Sequence, residues 1–323
     1  LFLLIYFKKK NYFRKYKFFR NECPLIMIIP KRLKKGDKIG IISTARRITK
    51  KELEPALKLI NKWGLEIILG KNLYNISNQF SGTRKDRISD LQSMIEDQTI
   101  KAILCARGGY GTVQIIDFIN FSKLYNSPKW IIGYSDVTVL HSQLNKLSIA
   151  SMHATMPINF NSNTLDSLKS LEDCLFGNKN IIKCVSNEFN KCGIIKGEVV
   201  GGNLSILYSL LGSPSDLETD GKILFIEDLD EYLYHVDRML ISIKRNNKLK
   251  KLKGLIIGGM TNMKDNSIPF GKNTYEIISE HVNEYDFPVC FDFPAGHLDN
   301  NTCIKFGVES TLEVTNEEVI LKQ

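Results

Sequence analysis

The chain has 323 residues, of which 43% are hydrophobic and 24% are charged, and its formal net charge is +9 at pH 7. This composition is ordinary for a globular protein and excludes a disordered or collagen-like chain. Residues 1–26 hold seven lysines and arginines against one glutamate, which gives +6 of the +9 and leaves +3 for the rest. Because no basic stripe recurs downstream, the charge does not indicate a nucleic-acid partner.

Residues 1–26 mix aromatic and basic side chains and do not resemble the rest of the chain. The apolar run precedes the charges, the reverse of a signal peptide, and no apolar run is long enough for a membrane span. We interpret the segment as a non-domain tail that need not be native, with Met27 as the natural start. A weak membrane-surface anchor is the alternative. The seven cysteines form no C-x-x-C motif and favour a reducing compartment over a disulfide framework.

After the tail, strand and helix signals alternate along the chain. DKIGIIST, LEIILG, IKAILCA and KWIIGY are apolar runs typical of buried strands, and KELEPALKLINKWG, RKDRISDLQSMIED and TVQIIDFIN have helical spacing. This alternation predicts an α/β fold: a flavodoxin-like parallel-sheet domain over residues 27–160 and a second α/β domain over residues 196–323. Residues 161–195 are rich in asparagine and are predicted to be a linker, with one helix at LDSLKSLEDCL.

The segment GYSD places Ser135 where a predicted strand passes directly into a helix. A serine on such a corner projects its hydroxyl beside free helical N–H groups, which can stabilise the oxyanion formed when a serine attacks a carbonyl. The simpler alternative is that Ser135 or Asp136 is a helix N-cap.

The glycine-rich RGGYG, residues 107–111, ends another predicted strand. It can bring backbone N–H groups close to a ligand. An oxyanion hole, a phosphate cradle and a plain turn all remain open, although the spacing matches neither nucleotide-binding fingerprint.

Two more strand ends carry an acid and a base. Glu227 and Asp228 close the strand GKILFI, and His297 follows FPAG. A carboxylate at a strand end can orient a histidine, so Ser135, Glu227 and His297 form a candidate catalytic set. His153 is the competing base, whereas the other three histidines lie on predicted helices and are read as packing or surface residues. The scattered cysteines and the missing H-E-x-x-H pattern argue against a metal site.

Six collinear segments, ARGGYG, IIGYSDVT, VVGGNLSIL, LFIEDLDEYLYHVDRML, GLIIGGM and FPAGH, resemble the motif series of the LD-carboxypeptidases, the muramoyltetrapeptide carboxypeptidases related to microcin-immunity hydrolases. The resemblance runs from about Lys34 to the C-terminus. It implies a serine peptidase with Ser135 as nucleophile, His297 as base and Glu227 orienting that base. One departure is His153-Ala154-Thr155, where the family tends to have His-Gly-Pro.

The resemblance also implies further site residues and a substrate. Backbone N–H groups of Gly109 (or Gly108) and Asp136 would form the oxyanion hole, and Arg107, Gly108 and Asn203 would contact the substrate. The implied reaction is release of the terminal D-alanine from a murein tetrapeptide in the cytoplasm during peptidoglycan recycling, by a homodimer without cofactor or metal. Two alternatives are a microcin-immunity-like amidase acting on peptidyl nucleotides and a non-catalytic protein that binds nucleotides or sugar phosphates.

Overall fold

A computed structural model describes residues 26–323. Apart from Ile26, the predicted tail therefore lies outside the described residues. The strands, numbered in chain order, are β1 (Lys38–Ile42), β2 (Glu66–Leu69), β3 (Ile76–Ser77), β4 (Phe80–Ser81), β5 (Ile100–Cys105), β6 (Trp130–Gly133), β7 (Ser151–His153), β8 (Ile181–Val185), β9 (Gly193–Asn203), β10 (Ile223–Leu229), β11 (Gly254–Thr261), β12 (Val289–Cys290), β13 (Ile304–Phe306), β14 (Glu309–Val314) and β15 (Glu318–Lys322). The α-helices are α1 (Lys50–Lys62), α2 (Arg84–Glu96), α3 (Lys123–Asn126), α4 (Thr138–Lys146), α5 (Leu165–Phe176), α6 (Leu204–Ser209), α7 (Leu233–Arg245) and α8 (Thr274–Val282).

The first sheet has six strands in the order β13-β7-β6-β5-β1-β2. Its β1, β2, β5, β6 and β7 pair in parallel, while β13 pairs antiparallel with β7. When the small β3–β4 hairpin is set aside, the parallel strands follow the flavodoxin-like order, in which ligands bind where the strand order reverses. The predicted α/β fold class is confirmed.

The second sheet has seven strands in the order β12-β11-β10-β9-β14-β15-β8. The first four of these are parallel, and the last three add antiparallel pairs. Both faces of β10 are buried, and its apolar run ILFI matches the near-continuous pattern of a parallel strand covered on both sides. The acidic pair Glu227-Asp228 follows this run and is still within the strand.

Two parts of the chain differ from a simple division into two halves. Residues 161–195, predicted as a linker, contain α5 and β8, and β8 belongs to the second sheet. In addition, β13 returns from the C-terminal part of the chain to the edge of the first sheet. The domain boundaries themselves stay a prediction. No helix of residues 26–323 is long and apolar enough to cross a membrane.

The predicted helix TVQIIDFIN is wrong. The segment forms two short 3₁₀ turns, Thr112–Gln114 and Ile116–Phe118. The N–H of Thr112 donates to the side chain of Asp136 at 2.8 Å, and both Val113 and Phe118 are exposed. The exposed apolar side chains show that the segment lacks the continuous buried face that stabilises a helix in a folded protein.

Candidate active site

Ser135 lies on a strained turn between β6 and α4. Its φ is +63°, and it begins a 3₁₀ turn, Ser135–Val137, that leads directly into α4. A left-handed backbone at a non-glycine residue costs about 1–3 kcal/mol and is concentrated at functional sites. The N-cap positions of the turn and of α4 belong to Tyr134 and Val137, and neither forms a side-chain cap. The helix-cap alternative for Ser135 is therefore wrong.

The glycine loop that follows β5 packs against this turn. A Cβ placed on Gly108 would lie 3.1 Å from Ser135 Cβ and 3.3 Å from Ser135 Oγ. Gly109 has φ +108°, and a Cβ there would lie 2.6 Å from the side chain of Arg46. The positive φ favours glycine at position 109, and at position 108 the absence of a side chain lets the loop lie close to the serine. The assignment of oxyanion donors to Gly109, Gly108 and Asp136 stays a prediction.

Glu227 and His297 are paired, although 70 residues separate them in the chain. Glu227 Oε2 lies 2.6 Å from His297 Nδ1 and also accepts the His297 backbone N–H at 3.2 Å. Gly296 permits this approach: its φ is +108°, and a Cβ there would lie 2.8 Å from Glu227 Cβ. The loop is also held by Asn301, whose Oδ1 accepts the Gly296 N–H at 2.8 Å.

The pairing sets the protonation of the imidazole. Burial lowers the pKa of His297, but the charge of Glu227 and its hydrogen bond raise it more, so the net pKa lies above the usual 6.5. With Nδ1–H donated to Glu227, the other ring nitrogen is the one that can accept a proton. The Glu227 side chain is fully buried, which strengthens its electrostatic effect on the ring.

The histidine packs on the residue that precedes the serine. The ring of Tyr134 lies 4.8 Å from the His297 ring, measured between centroids. Three residues after Ser135, the Oγ1 of Thr138 accepts the backbone N–H of Asn203 at 3.0 Å. These contacts bring the ends of β6 and β9 and the FPAGH loop together at the seam between the two sheets.

The competing base, His153, has a different environment. Its ring is fully buried, lies 4.9 Å from the Phe225 ring and 5.8 Å from the Tyr134 ring, and makes no hydrogen bond through either nitrogen. Burial holds the pKa of His153 well below its usual range, so the ring is neutral. Lacking a carboxylate that would orient it, His153 is a weaker candidate than His297.

Two predicted substrate contacts are engaged elsewhere. The amide of Asn203 is buried, donates to Asp228 Oδ1 at 2.8 Å and caps α6 by accepting the Ile206 N–H at 3.2 Å. Arg107 Nη1 lies 3.7 Å from Glu52 Oε1, which directs the guanidinium toward α1. Their substrate contacts, and that of Gly108, stay predictions.

The sequence analysis missed Arg87 of α2, which is buried beneath the glycine loop. Its signal was available: Arg87, Leu91 and Met94 share one helical face, and the latter two are buried. A charged residue on an apolar face indicates a specific partner.

For metals, the described residues contain no group of three or more histidine, cysteine or acidic side chains placed to hold an ion.

Comparisons with known proteins agree with the resemblance. Family descriptions of the LD-carboxypeptidase N-terminal and C-terminal domains match residues 39–154 and 196–312. The chain is 31% identical over 305 residues to the "Probable murein peptide carboxypeptidase" of Bacillus subtilis, covering 91% of this chain and 94% of that protein. It is 24% identical over 324 residues to the microcin self-immunity protein MccF of Escherichia coli, covering 89% and 94%.

Among solved structures, the muramoyltetrapeptide carboxypeptidase from Oxalobacter formigenes superposes with a TM-score of 0.81 at 25% identity. The match covers 88% of this chain and 98% of that one. The likeness therefore extends over both sheets.

Proposed function

The chain belongs to the LD-carboxypeptidase family and is a serine-type carboxypeptidase, and on that premise we propose that it releases the terminal D-alanine from a murein tetrapeptide. The observation that carries the proposal is the Glu227–His297 pair, 2.6 Å apart and packed on the tyrosine that precedes Ser135. The names of the relatives from Bacillus subtilis and Oxalobacter formigenes support murein peptides as the substrate class.

The proposed mechanism has two steps. His297 takes the Ser135 proton while Ser135 Oγ attacks the carbonyl carbon of the bond that precedes D-alanine. The oxyanion receives hydrogen bonds from the N–H groups of Gly109 (or Gly108) and Asp136. The protonated imidazole then donates its proton to the departing D-alanine amine, leaving an acyl-enzyme on the serine. Water, deprotonated by the same imidazole, attacks the acyl carbon and frees both the tripeptide and Ser135.

The strain at Ser135 fits this mechanism. The positive φ presents Oγ beside the glycine loop and at the start of a helix, where free N–H groups and the helix dipole favour a developing negative charge. A hydrolase that forms an acyl-enzyme needs such preorganised donors at the reacting carbonyl.

The first experiment replaces the nucleophile. We expect Ser135→Ala to abolish D-alanine release, because the variant lacks the hydroxyl that forms the acyl-enzyme. Mass spectrometry of the tripeptide product measures the release. The matched control is Ser93→Ala, at an exposed serine of α2. Full activity in folded Ser135→Ala would refute the proposal.

A second substrate class is favoured by one observation, the 24% identity with the MccF protein over nearly the whole chain. An amidase that cleaves peptidyl nucleotides would use the same serine and base. Parallel turnover of a murein tetrapeptide and a peptidyl adenylate analogue separates the two. Faster turnover of the nucleotide substrate would replace the murein assignment without changing the catalytic residues.

We further propose that the enzyme works in the cytoplasm during peptidoglycan recycling, as a homodimer. Six cysteines of the described residues are free thiols, and four of them are buried, which suits a reducing compartment. Light scattering on the purified protein tests the dimer, and fractionation of the source cells tests the compartment.

A further inference from the structure

One buried arginine, Arg87, is hydrogen-bonded to the end of the glycine loop, residues 107–111. Arg87 is 2% exposed, and its Nη1 donates to the carbonyl oxygens of Thr44 and Gly111, both at 2.9 Å. Its Nη2 donates to Gln114 Oε1 at 2.8 Å, and the guanidinium lies 4.7 Å from the centre of the Phe80 ring. The planar fork of arginine is suited to holding several acceptors in fixed positions at once.

The residue that follows the nucleophile, Asp136, is hydrogen-bonded to the same end of this loop. Asp136 is 1% exposed, and its Oδ2 accepts the Thr112 N–H at 2.8 Å. The Gly111 carbonyl and the Thr112 N–H belong to one peptide group. Arg87 therefore holds the oxygen of this peptide while Asp136 holds its N–H, and the Thr112 hydroxyl adds a 2.7 Å hydrogen bond to the hydroxyl of Thr44.

The Gly111–Thr112 peptide, which Arg87 and Asp136 hold, lies at the end of the loop that packs on the nucleophile. Gly109 and Gly111 both have positive φ, at +108° and +149°, so the loop backbone has few intrinsic restraints. Gly108 lies so near the nucleophile that a Cβ on it would be 3.1 Å from Ser135 Cβ. Because Asp136 directly follows Ser135, the hydrogen bonds of Arg87 and Asp136 to this peptide fix the distance between the serine and the loop N–H groups.

The two charges also have an electrostatic consequence. A buried carboxylate next to the nucleophile would repel the oxyanion that forms on the substrate. Burial raises the pKa of Asp136, and the hydrogen bonds from Thr112 and the charge of Arg87 limit that rise. The charge of Arg87 thus counteracts the field of the carboxylate, so that the loop donors act on the oxyanion against a weaker opposing charge.

We propose that Arg87 is a positioning residue for acyl transfer: through the Gly111–Thr112 peptide and Asp136 it holds the glycine loop at the nucleophile turn and balances the Asp136 charge. This inference rests on the proposed function, since it assigns the loop to the oxyanion. Arg87 does not touch the substrate, and its effect belongs to the chemical step rather than to substrate binding.

The test measures kcat and KM for D-alanine release in Arg87→Met, Arg87→Lys and the double variant Arg87→Met with Asp136→Asn. We expect Arg87→Met to lower kcat about 10- to 100-fold, less than the roughly 100- to 1000-fold effect of losing one oxyanion donor outright, with KM changed less than about threefold. Arg87→Lys should recover part of the loss because it keeps the charge but not the fork. Arg84→Met, at an exposed arginine of the same helix, is the matched control.

The double variant separates electrostatics from packing. An asparagine at 136 can still accept the Thr112 N–H but carries no charge, so the double variant should be faster than Arg87→Met alone. The kcat of Arg87→Met, divided by the kcat of the unaltered enzyme at the same pH, should also rise as the pH is lowered. Protonation of Asp136 then removes its repulsion of the oxyanion. A purely structural arginine predicts neither result, and a double variant no faster than Arg87→Met, with no change in pH profile, overturns the proposal.

Two further outcomes are decisive. If Arg87→Met does not fold, folded Arg87→Lys decides: a loss of kcat of about threefold or more at unchanged KM supports the proposal, and a wild-type kcat overturns it. Ser135→Ala is assayed in parallel. An inactive Ser135→Ala with a wild-type Arg87→Met refutes this inference alone, whereas an active Ser135→Ala refutes the proposed function.

Discussion

At the scale of single residues, the buried carboxylate of Glu227 depends on His297 for its hydrogen bonds. A fully buried carboxylate is costly unless hydrogen bonds and an opposite charge compensate it. Glu227 Oε2 receives both the ring Nδ1–H and the backbone N–H of His297, and Gly296 lies against its side chain. The site therefore holds an acid whose stability depends on the histidine, and a histidine whose basicity depends on the acid.

We predict that Glu227→Gln shifts the pH dependence of catalysis. The charge that raises the pKa of His297 is lost, and the burial that lowers it remains. The base is then neutral at lower pH, so the acidic limb of the kcat/KM profile should move to lower pH. The plateau should fall roughly 100- to 10,000-fold because the imidazolium is no longer stabilised.

The matched control for this prediction is Asp237→Asn. It makes the same chemical change in another carboxylate–histidine pair, in which Asp237 Oδ1 lies 2.7 Å from His281 Nε2. Its profile should equal that of the unaltered enzyme. A Glu227→Gln limb at the original pH would show that another group titrates in the activity profile.

At the scale of elements, the end of β9 meets the nucleophile helix at very short range. Gly202 has φ +141°, and a Cβ there would lie 2.4 Å from Thr138 Oγ1. The next residue, Asn203, donates its N–H to the same hydroxyl and caps α6. This contact ties α4, which begins just after Ser135, to the strand beside the one that carries Glu227.

We predict that Gly202→Ala lowers the free energy of unfolding by about 3 kcal/mol or more, since backbone strain and overpacking add. Gly221→Ala is the control: its φ is +71°, but its Cβ would meet nothing within 4 Å, so a loss near 1–2 kcal/mol is expected. Urea unfolding measures both. Equal losses would mean that the close approach of β9 to α4 contributes nothing.

At the scale of the whole molecule, the two sheets are joined by ring contacts and by a strand that returns from the C-terminal part of the chain. His153 and Tyr134 come from the first sheet and its loops, and Phe225 comes from the second, yet their rings pack together. Through β13, the C-terminal part of the chain completes the edge of the first sheet beside β7. Neither sheet can lose its structure without exposing apolar surface or an unpaired strand edge of the other.

We therefore predict a single cooperative unfolding transition in urea. Both tryptophans, Trp63 and Trp130, are buried in the first part of the chain and report its unfolding by fluorescence. Far-UV circular dichroism reports both sheets, and the two curves should coincide. Gly202→Ala should shift both curves together, and separate midpoints would establish two independently stable domains.

Local patterns determined much of this protein. The apolar runs that end in GYSD and FIED predict buried strands because a strand covered on both faces needs continuous hydrophobic residues. The alternation of those runs with helical periods indicates the α/β class, and the collinear motifs identify the family. The strands and helices are decided by interactions within a few residues, and the family is identified by the order of the motifs along the chain.

Tertiary structure decided what depends on distant partners. The pairing of β13 with β7 joins residues about 150 positions apart in the chain, and no local period encodes it. In the segment after the glycine loop, two 3₁₀ turns stand in place of the predicted helix, and the distant Asp136 accepts the first N–H of the segment. Arg87 acquired its place under the loop for the same reason: the carbonyl groups that satisfy its charge are supplied by other strand ends, and only the folded sheet brings them within hydrogen-bond distance.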